Sequence, residues 1–109
     1  MALFYDNNTD HIAPVGDMRP VERVYAIRFS QFTKEHWDQL SEIYPTLPEW
    51  SGYGNDATYW FGPEESPPFL WASVEPSGLL VHGMLSPEDW ERWDNAFRLH
   101  LHKFPTFEV

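Results

Sequence analysis

Apolar and polar positions alternate along "RVYAIRFS", residues 23–30. Tyr25, Ile27 and Phe29 face one way, and Val24, Ala26, Arg28 and Ser30 the other. A period of two in β-branched and aromatic residues predicts a strand. Residues 1–20 keep no period and contain Pro14 and Pro20. They read as an irregular N-terminal arm, in which Ala2–Tyr5 has the residues of a short strand. The period then changes. In "TKEHWDQLSEIY", Trp37, Leu40 and Tyr44 share a helical face, with Ile43 beside them. Thr33 is placed to cap this helix, and Pro45 and Pro48 to end it.

The stretch "LPEWSGYGNDATYWFGPEESPP", residues 47–68, reads mostly as a loop. Within it "ATYWFG" has the make-up of a short strand closed by Gly62-Pro63. "PFLWASVEP" and "GLLVHGML" follow as two strands, joined by "EPSG" as a hairpin. Both faces of this pair are apolar, which predicts a central place in a sheet. In "SPEDWERWDNAFRLHLHKF" the helix reads as residues 87–104. Ser86 is the N-cap, Pro87 occupies the first helical position, and Glu88 and Asp89 complement the helix start. Trp90, Trp93, Phe97, Leu101 and Phe104 recur at helical spacing and predict the buried face. Pro105 stops the helix, and "TFEV" has the character of a last short strand.

The predicted order is therefore β–α–β–β–β–α. It describes one α+β domain over residues 21–109, an antiparallel sheet of about four strands with two helices packed on one face. A chain of 109 residues fits one such domain.

Charge changes the picture. Seventeen acids against seven bases give a net charge of −10. Lys34 and Arg92 bracket a stretch, 35–91, with no lysine or arginine. Free nucleic acid is disfavoured as a partner, because phosphate binding needs a basic patch. A cationic protein is favoured, through faster encounter. There is no cysteine, which excludes disulfides and thiolate metal sites. The N-terminal residues do not read as a signal peptide, and no apolar run approaches a membrane span. The expected compartment is the cytoplasm, and the expected function involves no membrane.

Candidate chemistry is sparse. His100 and His102 are two apart on a predicted helix and point in different directions. His11, His36 and His82 are isolated in sequence. No metal site and no cofactor are expected. The serines lack a nucleophile-elbow context, and no phosphate-binding glycine loop appears. The chain reads as a binding protein without catalysis.

What stands out is residues 47–68. Trp37, Trp90, Trp93 and Phe97 fall at core spacing, and Trp60 and Trp71 suit either a core or a surface. Trp50, Tyr53 and Tyr59 lie among glycine, proline and acids, where a core assignment is weakest. Large rings are favoured interface anchors. The candidate partner-binding residues are therefore Trp50, Tyr53 and Tyr59 as anchors, with Glu49, Asp56, Glu64 and Glu65 as complementary charge around them. The competing reading makes Trp50 a lid over the sheet edge.

A small, acidic, cysteine-free α+β chain containing "ASVEPSGLLVHGMLSPEDWERWDNAF" resembles the immunity proteins of bacterial toxin–immunity pairs. The likeness spans most of the chain and carries no residue-level roles. It implies a tight stoichiometric complex with one cognate toxin, often a nuclease. Two other readings stand beside it. One is a phage-type inhibitor of the anti-CRISPR or anti-restriction kind, which mimics nucleic-acid charge. The other is a carbohydrate or small-ligand binder that stacks sugars on Trp50, Trp60 and Tyr59.

Overall fold

The computed structural model describes residues 2–54 and 56–109. Six strands form one sheet: β1 (Phe4–Asp6), β2 (Arg19–Tyr25), β3 (Trp50–Tyr53), β4 (Thr58–Trp60), β5 (Phe69–Glu75) and β6 (Gly78–Leu85). Helix α1 (Lys34–Ile43) follows β2, and helix α2 (Pro87–Arg98) follows β6. Every pairing is antiparallel, and the order across the sheet is β1-β2-β6-β5-β4-β3. The apolar pair β5 and β6 is central, as its two-faced pattern predicts.

The expectation of about four strands fails at both edges. The expected irregular arm, residues 1–20, holds β1 and the first two residues of β2. The alternating stretch at 23–30 is strand only as far as Tyr25. At the other edge, the residues read as loop hold β3, which pairs with β4 through a bulge between Trp50 and Gly52. A four-residue strand with a bulge shows no period of two, so pattern reading misses it. The C-terminal segment contributes a single bridge, Thr106 to Ile27.

Helix α1 begins where Thr33 predicts. The Thr33 hydroxyl accepts from the His36 N–H, and His36 Nδ1 accepts from the Thr33 N–H at 2.9 Å. Only Leu40 and Ile43 of this helix are buried. Trp37, read as core, is 41% exposed. It lies in the first turn and stacks on Phe29 of the preceding connection, ring centroids 5.5 Å apart, instead of reaching the sheet. Helix α2 starts at the Ser86 cap but ends at Arg98, six residues short of the expected Phe104. A tighter 3₁₀ turn, Leu101–Lys103, follows. Pro105 disfavours helical backbone at Phe104, and helix ends commonly tighten in this way. Leu101 and Phe104 are still buried.

One face of the sheet carries Tyr25, Leu79, Val81, Leu85, Leu70, Ala72 and Trp60, and both helices pack on it. Trp93 of α2 is wholly buried, 5.0 Å from the Trp60 ring and stacked on Phe97 at 5.4 Å. The β5–β6 hairpin turns in two residues, Pro76 and Ser77. Gly78 follows at φ 134°, and a Cβ there would strike the Tyr25 carbonyl. A buried polar group ties strands to helix. Arg23 makes a forked contact with Asp6, at 2.7 and 3.2 Å, and donates to Asp94 at 2.8 Å. The two ends of the described chain meet, Val109 N–H donating to the Ala2 carbonyl at 3.0 Å.

Candidate functional site

The acidic, ring-rich segment folds into β3, β4 and the connection from β4 to β5. These form one end of the sheet. The chain enters β3 through Glu49 at φ 61° and leaves β4 through Phe61 at φ 72°. Both are left-handed positions that cost a non-glycine residue roughly 1–2 kcal/mol. They face each other, the Phe61 N–H donating to the Glu49 carbonyl at 2.8 Å. The pairing of Trp50 with Trp60 follows immediately inside this bond.

The strand alternation sorts the predicted anchors. Thr58 and Trp60 point to the helix face and are buried. Trp50 sits beside them at the edge: its Nε1 donates to Thr58 Oγ1 at 3.1 Å, and Thr58 Oγ1 donates to the Gly52 carbonyl. Its ring meets Tyr53 edge-on, centroids 5.7 Å apart. Trp50 remains 38% exposed and Tyr53 62% exposed. Trp50 is thus tethered by its nitrogen and open on its ring. Nearby Tyr44 is held well above the usual tyrosine range by burial, with Tyr53 adding to the shift.

Tyr59 points to the opposite face. It begins a row running straight across four strands, Tyr59–Trp71–His82–Glu22. The Trp71 and His82 rings are 5.2 Å apart, and His82 Nδ1 lies 3.3 Å from Glu22 Oε1. Trp71 Nε1 is buried without a hydrogen-bond partner among the described residues. The Tyr59 ring rests on Gly54, where a Cβ would collide with it.

An open recess of about 500 Å³ lies between the β3–β4 hairpin and the following loop, lined among others by Tyr53, Tyr59, Glu64 and Glu65. Four of the seven predicted contact residues therefore converge. Asp56 lines a separate recess, shared with Tyr53 and Tyr44. Trp50 and Glu49 line neither of these.

In sequence the segment has no base near it, but the fold brings one. Arg92 of α2 lies 3.9 Å from Glu49 and 5.9 Å from the Phe61 ring centroid. Asp56, Glu64 and Glu65 make no ion pair among the described residues. Among those residues, no group of three or more His, Asp or Glu side chains is placed to hold a metal ion. Among the described residues, no helix is long and apolar enough to cross a membrane.

Tyr44 is buried, in keeping with its place on the helical apolar face. The row behind Tyr59 is not visible in the sequence pattern, because only cross-strand register shows which neighbours Trp71 meets. No family model matches the chain, and comparison with curated proteins and with solved structures returns no match.

Proposed function

We propose that this chain is a non-catalytic inhibitory binding protein of the toxin–immunity type, acting in the bacterial cytoplasm. It docks a cationic surface of one protein partner with the β3–β4 end of its sheet. The observation that carries this reading is the meeting of Tyr59, Glu64 and Glu65 at one open recess at the sheet end, with Tyr53 at its border. The exposed Tyr53 ring and the half-buried Tyr59 ring give contact area at low entropy cost, and carboxylates without internal cations are free to pair across an interface. Their charge repels a nucleic-acid backbone, so the partner is protein. A mimic of nucleic acid would need acids in regular array; here Glu49 is drawn to Arg92 and Asp56 lines a different recess.

The test is protection. A toxin domain is sought among the genes neighbouring this chain's own; cells expressing it should survive when the chain is co-expressed and die when it is not. Purified chain and toxin should form a stoichiometric complex whose on-rate falls as salt rises. Lack of protection with both proteins well expressed would overturn the reading.

A further inference from the structure

We infer that the recess beside Tyr59 is a subsite for an arginine side chain. This rests on the docking reading above and names the chemistry by which the partner is gripped.

The recess is built from absences as much as from side chains. Tyr59 pairs across the strands with Gly52, and its ring rests against Gly54. Gly52 has no side chain to fill the space beside the ring. At Gly52 a Cβ would meet nothing within 4 Å, and at Gly54 the Tyr59 ring itself occupies the place. The floor is therefore bare backbone with an aromatic wall. Residues 62–65 make the other wall and bring Glu64 and Glu65 to the same space. The volume, about 500 Å³, falls in the range of small-ligand pockets.

An aromatic wall facing two carboxylates that lack an internal cation selects positive charge. A guanidinium suits it better than an ammonium. It is planar, weakly hydrated, able to stack on a tyrosine face and to offer paired N–H donors to carboxylate oxygens. An ammonium is a compact, strongly hydrated charge that gives up more water to enter.

The test uses small probes and needs no partner. Nα-acetyl-arginine amide is titrated into the labelled chain and followed by NMR. Saturable shifts are expected at Gly52, Tyr59 and Glu65, with Nα-acetyl-lysine amide roughly tenfold weaker. The neutral analogue, Nα-acetyl-citrulline amide, should give none. The double variant Glu64→Gln/Glu65→Gln alters two exposed side chains and should keep the fold while weakening the arginine probe by roughly tenfold. No saturable shift, equal binding of the citrulline or lysine probe, or an unchanged affinity in the double variant would each overturn the subsite. So would saturable binding of a neutral oligosaccharide at the same signals. A chain that protects cells but ignores the arginine probe loses the subsite and keeps the docking reading. One that binds the probe but never protects loses the docking reading and keeps an arginine site.

Discussion

The Tyr25 hydroxyl donates a 2.6 Å hydrogen bond to Asp94 Oδ1, joining β2 to α2 inside the core. The same oxygen accepts from Arg23 at 2.8 Å, and Arg98 reaches Oδ2 at 3.1 Å. Asp94 thus takes three donors while nearly buried. Asp94→Ala leaves the buried Tyr25 hydroxyl without its acceptor and Arg23 with only the more exposed Asp6 as counter-charge, and should cost about 3 kcal/mol in a urea titration. Tyr25→Phe removes one hydrogen bond to a charged acceptor and should cost about 1.5–3 kcal/mol. A loss below about 0.5 kcal/mol for Asp94→Ala would show that water replaces the network.

Alkaline pH should unfold the protein by a defined route. Burial raises both Tyr25 and Tyr44 well above the usual tyrosine value, with Asp94 adding to the shift at Tyr25. In the unfolded chain both ionise near pH 10, while the fold keeps their protons. The stability is therefore intact below about pH 10 and lost as pH rises above it, by about 1.4 kcal/mol per pH unit for each tyrosine. Urea titrations between pH 9 and pH 11.5 check the slope. Tyr44→Phe should roughly halve it, because one of the two raised groups is gone. An unchanged slope in that variant would assign the loss to other groups.

Glu49 tests the left-handed entry to β3. Glu49→Gly and Glu49→Ala both remove the loose contact with Arg92, which at the surface contributes little. They differ in backbone freedom, since alanine keeps the strain at φ 61° and glycine relieves it. Glu49→Gly should be more stable than Glu49→Ala by about 1 kcal/mol. Equal stabilities by denaturant titration would mean the left-handed conformation is not held in solution.

Trp50 and Trp93 should differ in where truncation is felt. Trp93 is wholly buried, and Trp93→Ala should cost about 3–5 kcal/mol in stability. Trp50→Ala loses one hydrogen bond and a half-open ring, so its stability cost should be about 1–2 kcal/mol. Its larger effect should fall on the complex, which weakens by about 2 kcal/mol or more if the ring is an anchor. Melting and affinity measured on one purified Trp50→Ala sample separate these. A destabilised variant with normal affinity at low temperature would return Trp50 to the lid reading.

The helices and the central hairpin were legible because their signals are local. Thr33 and Ser86 cap where they should, and Phe69–Leu85 needs a turn only two residues long. The outer strands were legible only in part: Ala2–Tyr5 and "ATYWFG" have the residues of short strands and overlap β1 and β4, whereas β3 has four residues and a bulge, too few to show a period. Their membership in the sheet depends on partners far along the chain, as in Phe4 with Tyr25. Composition singles out the ring-rich segment but does not show how its residues divide. Trp60 lies at the centre of the core, Trp50 and Tyr53 on the helix-side edge, and Tyr59 on the reverse face. One residue of register decides between those faces. Trp37 failed for the converse reason: helical spacing names a face but not whether the sheet extends far enough to cover it.

The meeting of Ala2 with Val109 fixes how the molecule can be handled. Both residues join beside β1, at one margin of the sheet, whereas the recess lies beside β3 at the other. Five inter-strand steps separate the margins, about 24 Å at ordinary spacing. A tether or fluorophore attached at either end therefore leaves from the same corner and points away from the proposed docking edge. A chain immobilised through residue 2 or residue 109 should show a partner the same face. Binding rates recorded in the two orientations should agree, and a short linker from 109 back to 2 would let the chain be cut open elsewhere without moving either margin.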